Sequence, residues 1–301
     1  MSHFTVVVCI DDPARLDDVL APFDENREVE PYRDYEEGGP ASYWAVKLFR
    51  EEDGLNPDDA TLTWAQVAEV HNKRWDDEPP LLIAEDGRAY AMSTRNPDAK
   101  WDWWSIGGRW TGYFPYRAEF ASEVIRGEPG LGAGNAPALH CDGGPKRTLD
   151  LDALCSDKAA EARKSYAEFH ALIAGTPQAK SWATFRADLD AGRITIEDAR
   201  REYHDQPAIR ALQGTDFRWH DDPLNDFGLP ESLYVEREKA RAVPGFATLT
   251  TDGRWMAPGR MGWFAATDAT EDSQIGYWEA ANAYIGALED STYLIAVDCH
   301  I

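Results

Sequence analysis

Two groups of residues carry side chains suited to chemistry. The first lies at 96–112, NPDAKWDWWSIGGRWTG, and sets Trp101, Asp102, Trp103, Trp104, Gly107, Gly108, Arg109 and Trp110 within ten consecutive positions. A Gly-Gly pair permits a left-handed turn that can direct successive backbone N–H groups at a bound anion. A guanidinium forks onto carboxylate or phosphate, and indole faces stack on rings. The combination predicts a site for a small anionic, ring-bearing ligand, nucleotide-like in character, with Arg109 on the anion and the tryptophans stacking. Packing accounts for the same residues: tryptophans in a core, glycines making a turn, Arg109 paired with Asp102. There is no GxxxxGK[ST] run and no GxGxxG after a strand, so the segment is not a familiar phosphate loop.

The second group stands at the chain ends. His3 opens one apolar stretch; Asp298, Cys299 and His300 close another. If the two stretches pair as antiparallel strands, the start of one lies beside the end of the other. His3 then meets Asp298, Cys299 and His300, with His140 and Cys141 in reach from a Gly/Pro-rich loop. Such groups suit a divalent transition metal on His3, Asp298 and His300. They equally suit acid–base or nucleophilic work by His3, Cys299 and His300, with hydrolysis as the expected reaction. The spacing is long-range and no HExxH is present, and ordinary structural residues are the commoner occupants of strand ends. His71, His170 and His204 are single helical histidines.

A third pattern is electrostatic. Asp24, Glu25, Glu28, Glu30, Asp34, Glu36 and Glu37 fall within fourteen residues. Through 24–37 the chain could imitate a phosphate backbone and occupy a basic protein partner, as a DNA mimic or inhibitor of a host factor without catalysis. A solvated, solubilising surface is the simpler account. No EF-hand spacing accompanies these carboxylates.

The elements that must position these groups show as periodicities. Residues 4–10, FTVVVCI, and 292–297, TYLIAV, are apolar on both alternating faces and read as central strands of one sheet. Thr63-Trp64-Ala65-Gln66 is a capping box opening a helix to about 75. Asp86-Gly87 and Asp252-Gly253 sit between short apolar runs and predict hairpins. From Asn96-Pro97 a short helix is expected, followed by an alternating strand over 109–114. Residues 157–174 repeat apolar positions at spacings of three and four, and further helices start near Ser181 and Thr195 and span 272–288. The class is α+β: a mixed or antiparallel sheet containing both terminal strands, with a helical middle. Three parts are expected. Residues 1–120 hold the hairpin and the Trp/Gly motif. Residues 121–240 form a mainly helical insertion or second layer, and 241–301 complete the sheet.

Composition bounds the function. The chain has 54 Asp+Glu against 30 Lys+Arg, a formal net charge of −24, and a net of −11 falls in residues 1–60. That excludes a direct basic grip on nucleic acid or an anionic membrane, while leaving room for a local anion site beside Lys100 and Arg109. Twelve Trp, twelve Tyr and eleven Phe indicate a folded chain. No apolar run reaches the ~18–20 residues that span a bilayer. The opening residues form no basic leader, and four cysteines without CxxC spacing read as free thiols, so a cytoplasmic protein is expected.

Four stretches together resemble a family of uncharacterised bacterial and phage proteins. They are the SHFTV start at 2–6, WDWWSIGGRW at 101–110, CDGGPK at 141–146 and the VDCHI end at 297–301. The resemblance runs end to end and implies no particular reaction. It does imply that the Trp/Gly segment and the chain ends matter beyond the packing of one protein.

Overall fold

A computed structural model describes residues 3–48, 55–56, 61–220, 222–260 and 267–301. In chain order its elements are β1 (His3–Ile10), α1 (Leu16–Leu20), β2 (Tyr32–Tyr35), α2 (Pro40–Tyr43), α3 (Trp64–Arg74), β3 (Leu82–Ile83) and β4 (Ala89–Ser93). There follow β5 (Trp103–Ile106), β6 (Phe114–Pro115), β7 (His140–Cys141), β8 (Gly143–Pro145), α4 (Leu151–Ile173), α5 (Trp182–Asp190), α6 (Ile196–Asp205) and α7 (Pro207–Leu212). The chain closes with α8 (Pro223–Asp226), α9 (Glu231–Ala240), β9 (Ala247–Leu249), β10 (Trp255–Met256), α10 (Glu271–Ala287) and β11 (Tyr293–His300).

The class is α+β, and both terminal strands sit in one mixed sheet of order β10-β9-β1-β11-β5, with β8 also on β11. β1 and β11 pair antiparallel in the register His3↔His300 through Ile10↔Tyr293. The β1–β9 pairing is parallel. β11 shares its other edge between β5, opposite Val297 to His300, and β8, opposite Tyr293 to Ile295. Val6, Val7 and Val8 are wholly buried because both sheet faces are covered. Each such side chain contributes roughly 1.5–3 kcal/mol. On one face Val7, Cys9, Leu294 and Ala296 pack with Phe114, Leu149 and Ile285. On the other, Phe4 meets the rings of Phe246 and Trp255 at 5.2 and 6.4 Å.

The chain divides into two compact units. One is Met1–Val19 with Trp103–Ile301, and the other is Leu20–Asp102. This differs from the expected parts at 1–120, 121–240 and 241–301. The helical stretch shares its unit with the sheet, whereas a separate unit lies inside the first expected part. The helical stretch has its own core, in which Phe169 stacks on Phe227 at 4.5 Å beside Phe185, Tyr203 and Tyr234. Asp150 caps α4 by accepting the Ala153 N–H at 3.0 Å, which starts the helix six residues before the expected 157.

The inner unit pairs β2-β4-β3 and buries Trp44, Val67 and Ala89. The expected capping box of α3 forms, with the Thr63 N–H donating to Gln66 Oε1 at 2.9 Å. The Asp86-Gly87 hairpin forms with Gly87 at φ +82°. The two ends of this unit are fastened together. The Lys100 N–H donates to the Phe23 carbonyl and the Glu25 N–H to the Trp101 carbonyl, both at 2.8 Å. Asn96 Nδ2 donates to the Pro22 and Asp24 carbonyls at 2.7 and 3.0 Å. The expected short helix from Asn96 is absent: Asn96 instead closes a turn by accepting the Asp98 N–H. The acidic stretch 51–54 lies outside the described residues.

Candidate functional site

The antiparallel pairing brings the chain-end residues together as the sequence suggests. His3 Nδ1 donates to Asp298 Oδ1 at 2.8 Å, since a carboxylate oxygen accepts. The His3 and His300 rings are 5.0 Å apart, edge to face, and His3 and Trp103 lie at 6.4 Å. Cys299 does not join them. Strand side chains alternate, so Cys299, paired with Phe4, faces away from His3, Asp298 and His300. Its thiol is fully buried, and burial pushes its pKa well above the ordinary value, with Asp298 adding to the rise. A nucleophile needs the thiolate, so the expected catalytic role of Cys299 is corrected to a core thiol.

The expected metal set of His3, Asp298 and His300 is corrected as well. Among the described residues no three His, Cys, Asp or Glu side chains are grouped to hold an ion. The Asp298 carboxylate, only 1% exposed, is already engaged. One oxygen takes His3 and the other, Oδ2, accepts the Arg109 N–H at 2.9 Å.

The Trp/Gly segment is split rather than continuous. Trp101 and Asp102 fall in the inner unit, where Trp101 is buried. Trp103 and Trp104 lie on β5. Residues 109–112 form turns instead of the expected strand. Gly107 and Gly108 do adopt left-handed backbone, φ +72° and +54°. Their donors, however, are spent within the chain. The Gly107 N–H goes to the Ala296 carbonyl, that of Gly108 to Ile106, that of Arg109 to Asp298 and that of Trp110 to Gly107, each at 2.9 Å. The turn therefore holds an anion, but the anion is the protein's own Asp298.

Asp142 is a second carboxylate used in this way, and sequence reasoning gave it no role. It is 1% exposed and accepts the Gly112 N–H at 2.6 Å and the Gly127 N–H at 2.7 Å. A Cβ on Gly107 would collide with Asp142, and one on Gly108 with Asp298. The signal was an Asp directly before Gly143-Gly144. The Arg109 side chain is exposed and holds no part of this clamp.

A cleft of about 1290 Å³ lies in the sheet-bearing unit beside the clamp. One border is 110–113, the tail of the Trp/Gly segment, with His140. The opposite wall is α4, which presents Asp157, Glu161, Ser165, Glu168 and Leu172 at spacings of four, four, three and four, one helical stripe. Asp216, His220, Glu238 on α9 and Arg241 just past its end close it. Glu238 is buried and meets Arg241 Nε at 2.9 Å. Burial raises its carboxyl pKa, opposed by Arg241 and Arg237. His220 Nδ1 donates to Asp226 Oδ2 at 3.1 Å. The Tyr113 hydroxyl donates to the Ala242 carbonyl at 2.8 Å and ties the segment's tail to the end of α9.

The carboxylates of 24–37 lie in the inner unit. Glu36 meets Lys47 at 3.0 Å and Asp24 accepts the Asn26 N–H at 2.8 Å, while Glu25, Glu28, Glu30, Asp34 and Glu37 are exposed. Among the described residues no helix is long and apolar enough to cross a membrane. The chain matches no family model, no curated protein and no solved structure.

Proposed function

We propose that this chain is a binding protein that takes a cationic ligand in the cleft bordered by α4, α9 and residues 110–113. The observation that carries this reading is the charge of the lining. Asp157, Glu161, Glu168, Asp216 and Glu238 outnumber the lining cations Lys158 and Arg241, which pair with Glu161 at 2.7 Å and Glu238 at 2.9 Å and leave an excess of three carboxylates. Like-signed groups in a recess with low-dielectric walls focus the potential and raise the local concentration of the opposite charge. Trp110 and Phe217 line the same cleft and offer ring faces to a cation or a planar group.

The anionic ligand expected from the Gly-Gly-Arg pattern has less support, because the backbone donors of that turn are occupied and Arg109 is absent from the lining. A basic partner seated on 24–37 rests on charge alone. Four free cysteines support a reducing, cytoplasmic setting. Titration calorimetry with spermidine and arginine amide against adenosine monophosphate tests the reading. The two cations bind, weaken as salt rises, and are lost on joint Asp157→Lys and Glu161→Lys substitution. Binding of the nucleotide with neither cation bound would overturn it.

A further inference from the structure

Resting on that reading, we infer that the cleft's occupant is a basic peptide segment bearing an apolar anchor, rather than a small amine. Size is the first argument. Pockets for small ligands hold ≈ 300–1,000 Å³, and this cleft offers about 1290 Å³. Its α4 stripe runs from Asp157 to Leu172, which at ~1.5 Å per residue is about 22 Å of wall. An extended chain rising ~3.3 Å per residue covers that length with about seven residues.

The second argument is that the stripe is not acidic throughout. It ends on Leu172, an apolar lining residue left 40% exposed. Trp219, adjacent to the lining residue His220, is 74% exposed, with the Arg218 guanidinium 4.6 Å over its ring. Buried aromatic anchors carry much of the affinity in peptide and protein interfaces. An indole left in water beside a charged cleft supplies such an anchor for a partner's leucine or aromatic side chain. A small polyamine would use the carboxylates and leave Leu172 and Trp219 wet. A segment with Lys or Arg toward Asp157 and Glu161 and an apolar residue toward Leu172 and Trp219 matches both kinds of surface.

The test is fluorescence anisotropy on the full chain. The probes are a labelled nonapeptide library with Lys or Arg at four positions and Leu, Met, Phe or Trp elsewhere, a control peptide of equal charge with Ser and Gly elsewhere, and spermine as competitor. The best apolar-bearing peptides are expected to bind at least tenfold more tightly than the control. Leu172→Ser and Trp219→Ser, both at exposed positions, should remove that margin, and Trp219→Ser, outside the lining, should leave spermine binding unchanged. Equal affinity for control and library, with both variants silent, overturns the peptide inference while leaving the cationic cleft standing. Peptide binding indifferent to joint Asp157→Lys and Glu161→Lys substitution overturns the cleft as its seat. Failure of every probe, spermine included, overturns both.

Discussion

Gly108 and Gly87 are both left-handed, at φ +54° and +82°, yet their surroundings set them apart. A Cβ on Gly87 meets nothing within 4 Å, while one on Gly108 collides with Asp298 and Ser105. Gly87→Ala should therefore cost only the left-handed penalty, about 1 kcal/mol. Gly108→Ala adds overpacking against a buried carboxylate and should cost about 3 kcal/mol in total. Urea unfolding of the two variants checks the difference, and equal losses would mean the clamp yields. Glu238 gives a pH-dependent counterpart. Its pKa in the folded chain is raised by burial. As pH climbs through the ordinary carboxyl range, the unfolded chain releases its proton first. The native state then holds more protons, and stability falls until the raised pKa is passed. Glu238→Gln removes this loss. The melting temperature of the variant relative to the parent should thus be more favourable at pH 7 than at pH 4, as calorimetry at the two values would show. The turn at Gly107-Gly108 was legible as a turn. Its occupant was not, because Asp298 and Asp142 are far away in sequence and only strand pairing delivers them.

At the level of elements, β1 and β11 were legible because neither has a polar face, and that requires a central place in a sheet. Their antiparallel pairing was a condition rather than a deduction, and the structure supplies it, with His3 beside His300. The alternation that hides Cys299 was also available from the sequence, since neighbours on a strand point to opposite faces. The helix expected from Asn96-Pro97 failed for a tertiary reason. Trp103 to Ile106 gain a ladder on β11, opposite His300 to Val297, and that pairing outweighs a favourable helix start. The cleft was not legible because its walls come from α4, α9 and loops distant in sequence, although the Asp157, Glu161, Glu168 spacing was there to read. Packing of the strands also orders the thiols. Cys9 on β1, Cys141 on β7 and Cys299 on β11 are buried, and burial pushes the first two up to about 12 and about 11. Cys155 on α4 is half-buried. Iodoacetamide at pH 8 should label Cys155 alone in the native protein, and all four after unfolding, as peptide mass spectrometry would reveal. Rapid native labelling of Cys299 would contradict the packing of β11.

For the molecule as a whole, each of the two units has a buried core, and the inner one departs and returns through adjacent backbone at Phe23 and Lys100. Joining Val19 to Trp103 by a short Gly-Ser linker should leave a remainder that melts cooperatively and keeps its near-ultraviolet circular dichroism. A broad, non-cooperative transition would show that the sheet needs residues 20–102. Those residues contain twenty Asp+Glu and nine Lys+Arg, so almost half of the −24 resides in them. The fastening of Phe23 to Lys100 and of Glu25 to Trp101 has a consequence for how such a sequence drifts. Between these two fastened segments, insertions, deletions and changes of charge can accumulate with little penalty to the remainder. Across 103–110 one inserted residue shifts β5 against β11 and takes the Arg109 amide off Asp298. Related chains should then vary freely in length over the inner unit and hold constant length across the glycine turn.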